Sequence, residues 1–420
     1  MKKFYLETYG CSANKSDSEI IFGILEKNGY EHSNFDEAEI VIINTCGVKK
    51  ATEDRILNRL RILSKTNKKI VVAGCLPKIN LEKIKKALPN FSAIVDPQSI
   101  HKIPEILEKI KSGEKGIVNF SKKSPEKPLL PKHSFNKVIS IVQILEGCLS
   151  KCSYCGTKLA RGDLMSYKPS SILESVSNDV KNGFKEIWLT SQDNSCYGKD
   201  IGTNFANLLQ CVSKIKGKFF VRAGMMNPLH IKNFLDDLID AYKDEKIFKF
   251  LHLPVQSGSN KVLKDMRRGY KVEDFLFYIK KFREEIPEIT ISTDIIVGFP
   301  TETEVDFNKT VSLIKKIKPA VVNISRFSPR KGTPAAEMKM LKPEIVNKRS
   351  AKIHNIVKKI QARENEKWLG WKGEVLIDEI GKKNMLSRNL FYKPIVTRGV
   401  LGKFRKVKII ETYATYLIGK

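Results

Sequence analysis

The chain has 420 residues, 41% of them hydrophobic, and carries 75 Lys and Arg against 46 Asp and Glu, a formal net charge of +29. That length exceeds one core and predicts two to three domains. No stretch approaches the roughly 18 consecutive apolar residues of a transmembrane helix, and the opening Met1-Lys-Lys-Phe-Tyr-Leu-Glu breaks its apolar run with charge, which argues against a signal peptide and for a cytoplasmic protein. The basic balance suits a polyanion such as nucleic acid, although Lys is spread along the chain as a solubilising coat would be.

The first hundred residues alternate strand and helix. Strands are predicted at Phe4–Thr8, Glu39–Asn44 and Lys69–Ala73, and helices at Ser16–Gly29, Thr52–Ser64 and Asn80–Leu88. This βαβαβ rhythm predicts a doubly wound parallel sheet over 1–111. From 112 to 136 the chain turns polar and proline-rich, which reads as a linker. A second βα series follows, with strands at Lys137–Ile144, Glu186–Thr190, Phe219–Arg222, Phe250–Leu253, Ile289–Ile296 and Ala320–Ile324. Six strands with helical crossovers predict a partial (β/α)6 barrel over 137–362. One helix is expected from Pro343 to Trp368, with an apolar stripe at Val346, Ile353, Ile356, Val357 and Ile360. The tail, 363–420, switches to strands and reads as a small antiparallel β-barrel.

Cysteine placement carries the chemistry. Cys148, Cys152 and Cys155 form a C-x3-C-x2-C run just after the first barrel strand, where barrel chemistry resides. A closed iron–sulfur cluster takes four thiolates, so three leave one iron open for other ligands. A zinc knuckle would need a fourth ligand nearby, and the next cysteines, Cys196 and Cys211, lie too far along the chain and read as ordinary. Cys11, Cys46 and Cys75 each follow a strand of the first sheet beside a glycine. Loops at the carboxyl ends of parallel strands converge on one crevice, so these three are expected to hold a second metal site. Three buried core thiols are the alternative.

The run Glu146-Gly-Cys-Leu-Ser-Lys-Cys-Ser-Tyr-Cys-Gly-Thr-Lys-Leu-Ala-Arg-Gly162 resembles the signature of radical S-adenosylmethionine enzymes, and more narrowly that of the methylthiotransferases. Tyr9-Gly-Cys11, Thr45-Cys46 and Gly74-Cys75 are similar to that family's N-terminal domain. Leu189–Asp193, Tyr197–Gly202, Arg222–Pro228, Pro254–Gly258 and Asp294–Glu302 are similar to its core. The tail, ending Thr412-Tyr-Ala-Thr-Tyr-Leu-Ile-Gly419, resembles the RNA-binding barrel called TRAM. The likeness spans nearly the whole chain and is greatest to the archaeal and eukaryotic branch acting on N6-threonylcarbamoyladenosine beside the tRNA anticodon.

The resemblance implies two 4Fe-4S clusters and S-adenosylmethionine. Cys148, Cys152 and Cys155 would hold the radical-generating cluster, whose open iron chelates the methionine end of S-adenosylmethionine. Cys11, Cys46 and Cys75 would hold an auxiliary cluster carrying the sulfur to be inserted. Adenine C2–H is not acidic enough for ordinary base catalysis, which accounts for a radical. The resemblance further implies tRNA as partner, a flavodoxin- or ferredoxin-like electron donor and a sulfur donor; a monomer is expected.

Further candidates follow from position. Ser191, Gln192 and Asp193 match the family's loop near the S-adenosylmethionine amino group, though Asp193 also suits a helix cap or turn. Arg161 and Arg222 are expected to contact the cofactor, Arg161 by pairing with its carboxylate, and Gly298 to let backbone approach its adenine, or to serve a tight turn. Lys393, Arg398, Lys403, Arg405 and Lys406 lie among aromatic residues as an RNA-binding set. Cys196 stands where the family more usually has a small residue, and Gly156 where a larger one often follows the third cysteine. Rival readings are a nucleic-acid-binding scaffold with structural clusters, methylthiolation of a ribosomal protein, and methylthiolation of isopentenyladenosine.

Overall fold

The computed structural model describes residues 2–420. The N-terminal sheet has six strands: β1 (Lys3–Thr8), β2 (Glu31–His32), β3 (Ile40–Thr45), β4 (Lys69–Gly74), β5 (Ala93–Val95) and β6 (Ile117–Asn119). They run parallel in the order β2-β1-β3-β4-β5-β6. β3 and most of β4 are buried, because helices cover both faces and continuous apolar runs are what such strands need. The helix Ser12–Lys27 packs on one face with Ile103–Lys111, and the helices Lys50–Leu63 and Leu76–Ala87 on the other. The strand order reverses between β1 and β3, so the crevice at their carboxyl ends is the switch point where ligands bind in such sheets.

The segment 112–136 departs from the linker expectation. It supplies β6 to the sheet and then buries Lys127 completely in a short turn of helix, Lys127–Leu129. A proline-rich composition does not reveal that the strap is anchored by buried charge.

The central unit contains β7 (Ile139–Gln143), the antiparallel ribbon β8 (Leu145–Glu146) and β9 (Met165–Ser166), then β10 (Glu186–Thr190), β11 (Phe220–Ala223), β12 (Phe250–His252), β13 (Thr290–Val297) and β14 (Val321–Arg326). Two parallel three-stranded sheets form, β11-β10-β7 and β12-β13-β14. A parallel bridge from Val221 to Ile247 and the Phe248 N–H donating to the Val221 carbonyl at 3.0 Å join them into an open six-stranded barrel. Alternation along the strands puts Ile187, Leu189, Val221 and Leu251 into the outer helical core and Trp188, Arg222 and His252 on the opposite face, toward the lumen.

After the helix Pro343–Glu366, which buries Ile353 and Val357 of its predicted stripe, come β15 (Lys372–Ile380), β16 (Met385–Asn389), β17 (Pro394–Thr397), β18 (Phe404–Thr412) and β19 (Leu417–Gly419). They close a barrel in the order β15-β16-β17-β19-β18 around Trp368, Val375, Ile395, Val407, Ile409 and Leu417. Its ladders are antiparallel except β17 with β19, which is parallel. The barrel docks against the central unit through Tyr392, whose ring lies 4.8 Å from those of both Phe248 and Phe250. No helix among the described residues is long and apolar enough to cross a membrane.

Candidate metal centres

The two cysteine triads lie where helices begin. Cys11 caps the helix Ser12–Lys27, Cys75 caps Leu76–Ala87 and Cys155 caps Gly156–Arg161, none by a side-chain hydrogen bond. Helix N-termini therefore adjoin these sulfurs, but burial outweighs them at Cys75 and Cys155, whose thiols are raised.

Cys11 and Cys46 stand at the carboxyl ends of β1 and β3, flanking the switch point, and Cys75 follows the adjacent β4. The three thiols feel one another. Burial first, then the neighbouring Cys11, raises the Cys46 thiol above its ordinary range. Burial pushes Cys75 up to about 12, with Cys11 and Cys46 adding to the rise and Arg161 opposing it. Gly74 makes the convergence possible. Its φ is +95° and an added Cβ would sit 2.3 Å from the Thr45 carbonyl oxygen, while the Cys75 N–H donates to that same oxygen at 3.1 Å. Only glycine brings the β4 turn this close to the loop carrying Cys46.

In the central unit, Cys148, Cys152 and Cys155 occupy the loop between β8 and the helix Gly156–Arg161. Burial and then the Cys152 charge raise the Cys155 thiol. Arg268, 6% exposed, donates from Nη1 to the Cys152 sulfur at 3.2 Å and from Nη2 to Asn227 Oδ1 at 3.0 Å. Arg268 forms no carboxylate ion pair among the described residues; the Cys152 sulfur and the Tyr154 and Tyr270 hydroxyls face its guanidinium. Sequence reasoning misses it because it lies far from the cysteines, within Arg267-Arg268-Gly269-Tyr270.

The Ser191–Asp193 loop gathers beside Cys148. Asp193 Oδ1 accepts from the N–H groups of Ser195 (3.1 Å) and Asn227 (2.9 Å) and so holds the turn. Its Oδ2 faces Cys196 Sγ at 3.2 Å and Cys148 Sγ at 4.0 Å. Cys196, which reads as ordinary in the sequence, is not. It is buried, and its ligand atom and those of Cys148 and Asp193 all lie within 4.8 Å of one another. The hydrogen bond with Cys148, then burial, raises the Cys196 thiol, and the same bond lowers Cys148. Ser191 Oγ donates to Asn194 Oδ1 at 2.6 Å, while Gln192 Oε1 is buried without a partner among the described residues. In the lumen, His252 Nε2 meets Asp294 Oδ1 at 2.9 Å, and Asn323 donates to the same oxygen at 2.8 Å.

Four expected residues sit differently. Arg161 does not face the lumen. It is buried, paired with Asp17 (2.6 Å) and Glu146 (2.9 Å), and lies against Cys75. Arg222 spreads over Trp188, Phe250 and Tyr392 at 4.7, 5.3 and 5.3 Å, tying it to the joint with the C-terminal barrel. Gly298 has φ +77°, and an added Cβ would sit 2.6 Å from Val346 of the long helix, so turn and helix packing account for the glycine. Lys393 is 5% exposed, with Nζ on Asn365 Oδ1 at 3.2 Å and over Trp368. A buried lysine does not meet a phosphate. Arg398, Lys403, Arg405 and Lys406 are exposed on the barrel, and just beyond the other end of β18 Tyr413 stacks on Tyr416 with ring centroids 4.7 Å apart.

The triads are close neighbours. Cys75 and Ile79 pack against Ala160 of the helix that Cys155 caps. Across this seam Arg330 pairs with Glu53 and donates to the Val48 carbonyl at 2.8 Å, two residues from Cys46. Gly156 leaves room for that arginine, since an added Cβ would come within 3.3 Å of it.

Residues 3–96 match the family model described as "Uncharacterized protein family UPF0004", and residues 142–314 match that of the radical SAM superfamily. Over its whole length the chain is 46% identical to a probable threonylcarbamoyladenosine tRNA methylthiotransferase of Pyrococcus horikoshii, covering 99% of that protein. The chain belongs to the threonylcarbamoyladenosine tRNA methylthiotransferase family. Membership extends to eukaryotic relatives: the threonylcarbamoyladenosine tRNA methylthiotransferase of Danio rerio is 35% identical over all of this chain and 78% of its own. Among solved structures, the radical S-adenosylmethionine methyltransferase TsrM of Kitasatospora setae is similar at a TM-score of 0.59 and 14% identity, covering 80% of this chain and 75% of that one. The cobalamin-dependent S-adenosylmethionine radical enzyme OxsB is similar at 0.56 and 11%, covering 86% and 56%. These two likenesses concern fold.

Proposed function

We propose that this chain methylthiolates C2 of N6-threonylcarbamoyladenosine next to the anticodon of tRNA, using S-adenosylmethionine. The observation that carries the reading is the pairing of two three-thiol sites across the seam between Cys75 and Ala160. Each offers three thiols where a closed cluster takes four, and each has a buried arginine against it, Arg161 or Arg268. Donor type and positive surroundings both fit an anionic 4Fe-4S cluster.

When bound, the cluster of Cys148, Cys152 and Cys155 supplies electron transfer to S-adenosylmethionine, and that of Cys11, Cys46 and Cys75 supplies the sulfur. The chain's own residues position and exclude. Arg268 balances charge at Cys152 while Tyr154 and Tyr270 close around it. Asp193 holds the turn that faces Cys148. Trp188, His252, Asp294 and Asn323 give the lumen an aromatic wall and polar groups suited to a nucleobase. Residues 1–111 carry the sulfur site, 137–362 the radical core and 363–420 the RNA-binding barrel. In that barrel Arg398, Lys403, Arg405 and Lys406 meet phosphate, and the stacked tyrosines offer a surface for a base. A cytoplasmic monomer served by a flavodoxin- or ferredoxin-like electron donor and a separate sulfur donor completes the proposal.

Mass spectrometry of tRNA nucleosides tests it, comparing a strain lacking this chain with one in which it is restored. The expected result is 2-methylthio-N6-threonylcarbamoyladenosine only where the chain is present. A methylthio mark on isopentenyladenosine, or none on tRNA, overturns the substrate assignment.

A further inference from the structure

We propose that Arg161 is a positioning residue for the auxiliary iron–sulfur site, holding its negative charge and fixing it to the loop of the radical site; this rests on the two-cluster reading above. Arg161 ends the helix that begins at Cys155. Six residues at 1.5 Å rise place the two ends roughly 9 Å apart, so one short helix joins the radical triad to the auxiliary one. Its backbone is tied to the N-terminal unit, with Gln98 Nε2 donating to the Arg161 carbonyl at 3.0 Å.

The guanidinium is held from three directions. Nη2 donates to Asp17 Oδ2 at 2.6 Å, and Nη1 to Glu146 Oε1 and Oε2 at 2.9 and 3.2 Å. Asp17 belongs to the helix Cys11 caps, and Glu146 stands two residues before Cys148. The third side is Cys75, within electrostatic reach of the guanidinium and packed on the adjacent Ala160. Lys127 supplies the second cation, bonded to Asp17 Oδ1 at 2.6 Å and to Glu146. Two carboxylates and two cations make the quartet neutral, and Arg161 is the member turned toward the thiols. Arginine suits this because its planar fork donates to several acceptors at once, whereas lysine offers a single point charge.

A cation fixed beside an anionic cluster favours the reduced, more negative state. The test uses the chain with Cys148, Cys152 and Cys155 changed to Ala, so that the auxiliary site alone binds iron. Iron content and an EPR-monitored redox titration are compared for this parent and for Arg161→Lys and Arg161→Gln placed upon it. The expected order of reduction potential, highest first, is parent, then Arg161→Lys, then Arg161→Gln. The last should disfavour reduction at least tenfold, a drop of about 59 mV for a one-electron couple. Equal potentials in iron-loaded variants overturn the assignment of Arg161 while leaving the cluster reading intact. Failure of the parent to hold about four irons overturns both. Should Arg161→Gln not fold, an unshifted potential in Arg161→Lys overturns the assignment on its own.

Discussion

Lys127 and Asp17 form an ion pair 2.6 Å long in which neither side chain reaches solvent. The lysine comes from the strap between the sheet and the barrel, the aspartate from the helix that Cys11 caps. Removing one partner of a fully buried network strands charge, which costs about 3–5 kcal/mol. Lys127→Met should lower unfolding free energy by that order in urea titrations. Asp17→Asn on top of it should add less than it costs alone, because the two side chains share one network. A drop below about 1 kcal/mol for Lys127→Met, well short of the buried-pair range, would show that the strap does not hold the units together.

Cluster loading is separable by triad. Anaerobically purified protein should contain about eight irons per chain, four at each site. Cys148→Ala should remove about half of the iron and all cleavage of S-adenosylmethionine. Cys46→Ala or Cys75→Ala should also remove about half, keep that cleavage and stop methylthiolation. Iron analysis together with chromatography of 5′-deoxyadenosine distinguishes these outcomes. Undiminished methylthiolation by Cys75→Ala would end the auxiliary role.

Long elements are legible in the sequence because their apolar runs have one dominant neighbour pattern. β3 and β4 are buried between helices and read as continuous β-branched runs. β2, β5, β6 and β19 span only two or three residues each, too few for a period to emerge, and the parallel closure of β17 on β19 depends on pairing far along the chain. The six cysteines of the two triads stand out because strand ends and loop spacing announce them. Arg268 and Cys196 are not, since only folding brings them to Cys152 and Cys148. Arg161 stands out in the sequence, but its direction does not. A six-residue helix turns it away from the lumen and onto Cys75, and no spacing rule anticipates that. Lys393 shares its composition signal with true surface cations, but it packs at the joint between Asn365 and Trp368.

That joint has a pH signature. Burial lowers the Lys393 ammonium to about 8 from an ordinary 10.5. The unfolded chain then binds more protons than the folded one between pH 8 and 10.5, so this group makes stability rise with pH across that window. The contribution is on the order of 3 kcal/mol. Lys393→Met keeps the length of the side chain and removes the proton. Urea unfolding at about pH 7.5 and about pH 10, on either side of the folded-state value, should therefore show a smaller gain in stability for Lys393→Met than for the unsubstituted chain. Equal gains would place the charge in water after all.

The exposed cations behave differently from the buried one. Each phosphate that the protein ceases to neutralise lowers the slope of log affinity against log salt, by about 0.9 on a duplex and about 0.7 on a single strand. Changing Arg398, Lys403, Arg405 and Lys406 together to Ala should reduce the slope for tRNA by about 3–4 and weaken binding most at low salt, because all four are exposed on one barrel. Lys393→Met should leave the slope where it was, because a side chain 5% exposed releases no counterion. Filter binding or fluorescence anisotropy across a salt series measures both variants side by side. A slope unchanged by the fourfold variant would move the RNA track off the barrel and onto the lysine-rich helices of the other two units.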